Sequence, residues 1–538
     1  MKGIIELTRL AAAIFIMAFL FSGCSGSKIA PYGTVDVDLM DAPELDYEHV
    51  FITVNKIAFH ADPNAENGAS GWEVQDMTAN PVTVDLAQLS NGRLYSDTSA
   101  YNEALFSGVV LPSGTYRQIR LFLVSTEDAK LAPSAIAKGL KYNNQATFEG
   151  GLEAPIRIPN IDEGIKLTPE TPLVVVAGKR ASLALDFNLF DDMFVASPAT
   201  QIECILKPRL GYFDMDRVGA VKGKISYSGL LYEPYFTILA EQVVPGKSSR
   251  VVRRLTTCDP STGVFNLYPL PVPEGSDTAV YDILVRGRYI QTAIIKNVTV
   301  RRGASMGSGA VDLGTIPMNA GNEFEVQLEN AIHPSGAWLK FYQTLATDPI
   351  SYEVRSRHLN PYTGKFSASL PLSSDPVHVY DFSGGSLSGP VSDTTVAGSF
   401  SAVAEAVLFE PSASVGVSGT AGGSMLFTPS LPTAQSANSL DVVVAISPSL
   451  NGVINEGYVF ITSGGLIVDC YYADSLIAAG GGSMTIPNLP GGTAAAPLSG
   501  ALYGVNVFGW GGGKNASGSR FDVNLTTGNG TAAITLAN

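Results

Sequence analysis

Charge is scarce in this sequence. Only 15% of its residues are Asp, Glu, Lys or Arg, against 45% that are hydrophobic, whereas an average globular chain carries about 25% charge. Such a composition excludes a disordered polyelectrolyte. Basic residues are the rarer sign, 34 against 49 acidic, for a formal charge of −15. That balance argues against a phosphate backbone, and so against nucleic acid, as a partner. Cysteine is rare as well: Cys24, Cys204, Cys258 and Cys470 are widely spaced, with no C-x-x-C pair, which indicates neither a disulfide framework nor a zinc site. The five histidines, His49, His60, His333, His358 and His378, show no H-E-x-x-H or paired spacing and read as surface or cross-strand residues. Beyond the N-terminus no stretch reaches 18 uncharged apolar residues, so no later segment is expected to span a bilayer.

The N-terminus itself carries a signal. Lys2 and Arg9 precede twelve unbroken apolar residues, Leu10 to Phe21, too short for a span of about 20 but suited to secretion. The run ends in Leu20-Phe21-Ser22-Gly23-Cys24, which resembles the lipobox of bacterial lipoproteins, small residues before a cysteine that is acylated. This resemblance implies a lipoprotein signal peptide over 1–23, lipidation of Cys24, a tether over 24–32 and a body outside the bilayer. Two acyl signals on one terminus supply stable anchoring. Ser25 after the cysteine favours the outer membrane by the same resemblance.

What the chain has in abundance is punctuation. Gly 55 and Pro 32 interrupt short runs rich in Val, Ile, Thr and Tyr, the pattern of many-stranded β proteins. Period-two alternation is clear where Val35, Val37 and Leu39 alternate with Asp36 and Asp38, and where Ile119, Leu121 and Leu123 alternate with Gln118 and Arg120. These are half-buried strands. Cys204, between Ile202 and Leu206 at the same spacing, turns inward as a small hydrophobe. The expected fold is all-β, tandem antiparallel β-sandwich domains after the signal peptide: 33–213, 217–318, 321–417, a Gly/Ser/Pro-rich linker over 418–439, and a divergent 440–538.

Two resemblances sharpen this division. Val35-Asp36-Val37-Asp38-Leu39-Met40-Asp41-Ala42-Pro43, Val50 to Ile57, Leu111-Pro112-Ser113-Gly114-Thr115-Tyr116 and Leu206-Lys207-Pro208 resemble the family catalogued as domain of unknown function 4382. The likeness covers 33 to 213 and implies a bacterial, often lipid-anchored, all-β extracytoplasmic domain without an established activity. Downstream, Thr262-Gly263-Val264-Phe265, Leu270-Pro271 and Tyr281-Asp282 recur as Thr363-Gly364-Lys365-Phe366, Leu370-Pro371 and Tyr380-Asp381, with a weaker third set at Met484, Leu489-Pro490 and Tyr503. An internal repeat of roughly 100 residues follows. Thr-Gly supplies a turn with φ > 0, Phe anchors a core, and Tyr opens the next strand. The rhythm resembles transthyretin-like, carboxypeptidase-regulatory sandwiches, which implies spacer or adhesive modules.

Candidate chemistry is thin. Gly303-Ala304-Ser305-Met306-Gly307 fits G-x-S-x-G, but a nucleophile elbow needs a helix after the serine, and strand-forming residues follow here, so the pentapeptide reads as a hairpin loop. Six carboxylates stand within 13 residues: Asp36, Asp38, Asp41, Glu44, Asp46 and Glu48. Asp36, Asp38, Asp41 and Asp46 make a candidate Ca²⁺ set of hard oxygen ligands; an acidic edge that discourages strand-on-strand pairing explains the same residues. No other cofactor is indicated, and no catalytic residue. Trp72, Trp338 and Trp510 are either sugar-stacking platforms or core aromatics. The sequence therefore points to a lipid-anchored, non-catalytic envelope protein, a structural, adhesive or partner-binding stalk of separately folding modules. Its partners would be the membrane, envelope proteins or glycans. The alternative is an envelope hydrolase, or a carbohydrate-binding accessory protein, with a dispersed site.

Overall fold

A computed structural model describes residues 31–537 except 43–46, 99–102, 127, 129, 160, 197–201, 207–209, 228–235, 330–336, 360–364, 373–374, 394–398, 419–423, 427–435 and 464–465. Residues 1–23, expected to be a signal peptide, and Cys24 lie outside them. Strands dominate, with helices of no more than five residues among the described residues. None of these helices is long and apolar enough to cross a membrane.

The first module, 32–214, is a sandwich. One sheet centres on Tyr32–Ala42, which pairs antiparallel with Phe106–Pro112 and parallel with Arg180–Asn188. The opposing sheet is built on Tyr47–His60, 14 residues long, which reaches four other strands along its length. Alternation does what it predicts on the inner face: Val35, Val37 and Leu39 meet Val50, Ile52 and Val54 in one core. The parallel pair departs from the purely antiparallel expectation.

The three repeats share one strand order. In the second module the first strand, Val218–Ser226, pairs antiparallel with the fourth, Val264–Pro271, and parallel with the seventh, Val311–Pro317. The other sheet runs third, second, fifth, sixth: Val251–Thr256, Phe236–Gln242, Thr278–Gly287, Ala293–Arg301. The same two sheets recur in the third module, from Glu323–Glu329 to Ser424–Leu426, and in the fourth, from Ser436–Ile446 to Gly530–Leu536. Ser424–Leu426 falls inside the stretch expected to be a linker, so the third sandwich ends later than its composition suggested. Among the described residues this three-residue strand pairs with Glu323–Glu329.

The repeat motif has a structural basis, with one correction. Gly263 sits at φ +73, and a Cβ there would lie 2.2 Å from the Ile225 carbonyl oxygen, so the turn admits only glycine. Phe265 is fully buried in the module's core. Tyr503 donates from its hydroxyl back to the Pro490 carbonyl at 2.6 Å, as Tyr281 does to Pro271. Tyr380 is not their counterpart. It lies on Val377–Ser383, an extra strand between the fourth and fifth of the third module, and this strand pairs parallel with Ala293–Arg301 of the second. The Tyr380 ring enters the second module's core. Residues 303–307 also differ from expectation, since they join strands of opposite sheets rather than a hairpin.

Nor are the modules separate bodies. Leu239, Leu255, Leu284 and Ile294 of the second module help form the core of the third. Phe409 of the third packs on that core and on the core of the fourth. Ile205 of the first packs among Tyr458, Phe460, Phe508 and Trp510 of the fourth. The chain thus closes a circuit. Phe265→Ala is expected to cost about 3–5 kcal/mol, the usual loss for a core aromatic. In calorimetry of the whole protein it should lower the transitions of the second and third modules together, because they share a sheet and a core. Separate transitions, with only one of them shifted, would contradict the shared core.

Candidate functional site

Buried charge concentrates where modules meet. Four arginines, each at most 4% exposed, stand at these seams: Arg157, Arg250, Arg254 and Arg286. A buried guanidinium must find partners for its donors, or its charge is prohibitively expensive.

Between the first and fourth modules, Arg157 pairs bidentately with Glu203, at 2.7 and 3.2 Å, and donates to Asn515 at 3.3 Å. Its guanidinium carbon lies 5.3 Å from the centre of the Trp510 ring, within cation–π range. The Trp510 indole N–H in turn donates to Glu456 at 2.9 Å. Cys204 takes its expected place in the first module's core, and burial pushes its thiol up to about 12. Its neighbours Glu203 and Ile205, which alternation turns outward, are fully buried because the fourth module covers them.

Between the first and second modules, Arg254 reaches Asp186 at 2.6 Å, the Asp41 carbonyl at 2.9 Å and the Tyr268 carbonyl at 3.2 Å. The other two arginines join the second module to the third. Arg250 bonds Asp282 at 3.0 Å and Asp348 at 2.7 Å, and also the Ile350 carbonyl. It stacks on Tyr352 at 3.7 Å. Although burial raises its carboxyl, hydrogen bonds from Lys296 and Arg250 hold Asp348 at about 2. Arg286 bonds Glu323 at 3.2 Å and the Ser369 carbonyl.

Beside Arg250 a cavity of about 330 Å³ is lined by Ser249, Lys340, Tyr342, Glu353, Arg355 and Glu405. Lys340 lies 3.0 Å from Glu405 and 3.7 Å from Glu353. Glu241 is wholly buried and accepts the Glu353 backbone N–H at 3.2 Å, leaving its Oε1 without a hydrogen bond. Burial first, and then the Glu353 charge, raise its carboxyl well above the usual range. This arrangement can hold a proton, and it presents two carboxylates and an amine to a small occupant. A second hollow, about 1010 Å³, opens between the first and fourth modules, with Arg120 and Lys166 facing Leu466 and Phe521.

The aspartates of the candidate Ca²⁺ set are dispersed. Asp36 and Asp38, expected to face solvent, are buried with separate partners: Asp36 with Arg180 and the Gly108 N–H at 2.8 Å, Asp38 with Ser96. Asp41 is fully buried and accepts from the Leu189 N–H at 3.1 Å. Asp46 and Cys24 lie outside the described residues. Among the described residues no three His, Cys, Asp or Glu are grouped so as to hold a metal ion. Trp510 is a core aromatic, Trp72 is half-buried with Arg120 5.2 Å from its ring, and Trp338 donates to Glu405 at 3.1 Å. Sequence reasoning passed over all four seam arginines. The available signal was a set of consecutive apolar residues such as Ile283-Leu284-Val285, which marks a strand buried on both faces.

Residues 32–208 match the family described as Domain of unknown function (DUF4382). No curated protein matches the chain. Among solved structures, the Bacillus anthracis TIE protein is 10% identical, covering 96% of this chain and 76% of its own, with a TM-score of 0.16. The shaft pilin SpaA from Lactobacillus rhamnosus GG is 11% identical over 40% of this chain and 98% of its own, with a TM-score of 0.14. In a cohesin–X-dockerin complex from Acetivibrio cellulolyticus, one chain is 19% identical over 19% of this chain, at a TM-score of 0.13, and 58% of its own length is spanned. The sandwich fold is defined by the strand order above, not by these alignments.

Two substitutions test the seams. Arg254→Ala should destabilise the protein by about 3–5 kcal/mol, because it strands Asp186 without its partner; chemical denaturation reads this directly. Glu241 should act in the opposite sense. Its folded value lies above the usual 4.5, so above that pH the folded protein holds a proton that the unfolded chain releases, and stability falls as pH rises toward the folded value. Glu241→Gln should therefore be more stable than wild type, with a gap in urea midpoints that widens as pH rises from 4.5 toward the folded value. A gap independent of pH would mean that Glu241 is ionised in the fold.

Proposed function

We propose that the protein is a non-catalytic structural element of the bacterial cell envelope, held at the outer membrane by lipid on Cys24 and presenting a rigid stalk to envelope proteins or glycans. One observation carries the reading: of the five buried arginines among the described residues, four, Arg157, Arg250, Arg254 and Arg286, each join one module to another. Charges used in this way resist hinge motion, since opening a seam would strand a buried guanidinium. Rigidity of that kind suits a spacer or scaffold. The lipobox-like Leu20 to Cys24 supports the anchor.

A second reading, an envelope hydrolase or a carbohydrate-binding accessory protein, draws on the cavity where Glu353 and Glu405 flank Lys340. Paired carboxyls are the equipment of acid–base hydrolysis. Release of sugars or peptides from envelope polymers by the wild type, lost in Glu353→Gln, would replace the scaffold reading with this one.

The anchor is tested in cells. Wild type should incorporate a fatty-acid probe and fractionate with membranes, while Cys24→Ala should remain an unlabelled precursor. Equal labelling of the two proteins would refute lipidation at this residue.

A further inference from the structure

Four exposed apolar side chains gather where the described chain begins. Tyr32, Val110, Val174 and Val176 are 46%, 60%, 57% and 47% exposed. Backbone pairing brings them to one end of the first module. Tyr32 lies opposite Pro112 and Thr34 opposite Val110, so Tyr32 and Val110 are diagonal neighbours on the outer face of their strands. Val174 lies opposite Thr115, two residues from Ser113, whose N–H donates to the Pro31 carbonyl at 2.7 Å. On the other flank the Gly178 N–H donates to the Tyr32 carbonyl at 2.8 Å, and the Val176 carbonyl receives the Lys179 N–H at 3.0 Å. Lys179 and Arg180 are exposed beside this turn, Arg180 in contact with Asp36. A protein with a formal charge of −15 thus sets two basic residues beside an apolar patch.

We propose that this patch is the face on which the protein rests against a phospholipid bilayer. The inference builds on lipidation of Cys24. Tyr32 stands eight positions after Cys24, and eight extended residues reach at most about 28 Å. A lipid on Cys24 therefore keeps this end of the first module close to the headgroups at high effective concentration. A tyrosine, three valines and flanking cations suit that interface, with apolar bodies in the acyl boundary and basic ends among anionic headgroups.

The experiment uses the full-length acylated protein in vesicles of phosphatidylethanolamine and phosphatidylglycerol with brominated acyl chains. Cys204, Cys258 and Cys470 are buried, so a surface cysteine can be labelled selectively. An environment-sensitive fluorophore at Val110→Cys should be quenched several-fold more than one at Val391→Cys, a position 72% exposed in the third module. Adding Val174→Asp should reduce the quenching at 110 without changing fatty-acid incorporation. Equal quenching at the two positions in protein that carries the lipid overturns the proposed face while leaving the anchor intact. An unquenched label at 110 whose emission shifts with protein concentration assigns the patch to a second copy of the chain and likewise overturns it. Protein that incorporates no fatty acid removes the anchor, and the bilayer face with it.

Discussion

The structure depends on pairing buried guanidinium groups across modules. A sandwich of about 100 residues can bury its own apolar faces, but Arg157, Arg250, Arg254 and Arg286 each also bond a group of a neighbouring module. An isolated second module would expose Asp282 and leave Arg254 and Arg286 without Asp186 and Glu323. Hydrophobic burial brings the sheets together, and the fork geometry of arginine then fixes how they sit, because bidentate and carbonyl contacts are met only in a narrow range of orientations. A buried ion pair adds little net stability when intact, yet losing one partner is expensive. Such pairs therefore specify an arrangement more than they strengthen it.

Much of the fold was legible in the sequence, for a reason that also marks its limit. Alternation reports which residues of a strand face the nearest core, and it placed Val35, Val37, Leu39 and Cys204 inside. It is blind to what covers the opposite face. Glu203, Ile205, Asp282, Leu284 and Arg286 occupy the positions that alternation turns outward, and all are buried because another module lies over them. Asp36 and Asp38 were read as a solvated edge for the same reason, whereas local bonds from Arg180, Gly108 and Ser96 enclose them. Charge count located carboxylates near one another in sequence, but strand pairing sent each to a different partner. Glu241 and Glu353 show the converse: more than a hundred residues apart in sequence, they fold so that the Glu353 backbone N–H bonds the Glu241 carboxyl and the Glu353 charge raises it.

The repeat was legible through its turns and hidden in its insertion. Thr262-Gly263 and the tyrosine hydroxyl that reaches back to a proline carbonyl mark backbone geometries few residues satisfy, so they survive as short motifs. Tyr380 mimicked that motif from a strand belonging to another sheet. Spacing alone cannot separate the two cases, because both tyrosines stand about ten residues after a Leu-Pro and both are buried; only the sheet they enter differs.

That inserted strand resolves a problem that every copy of this sandwich faces. With a sheet order of third, second, fifth, sixth, the sixth strand is an edge with unpaired backbone groups, a template for unwanted association. In the second module Val377–Ser383 covers this edge and is itself flanked by Ser386–Leu387 and Val391–Asp393, both short. The fourth module deals with its sixth strand differently: Ser517 on Lys514–Asn524 bridges to Ala537, so the residue after the last strand pairs with that edge. Among the described residues the third module leaves Val415–Ser418 as a four-residue edge, too short to template much pairing. Each solution protects an edge, but only the first also joins two modules into one sheet, which places the strongest mechanical continuity of the chain between the second and third modules, where Arg250 and Arg286 are also found.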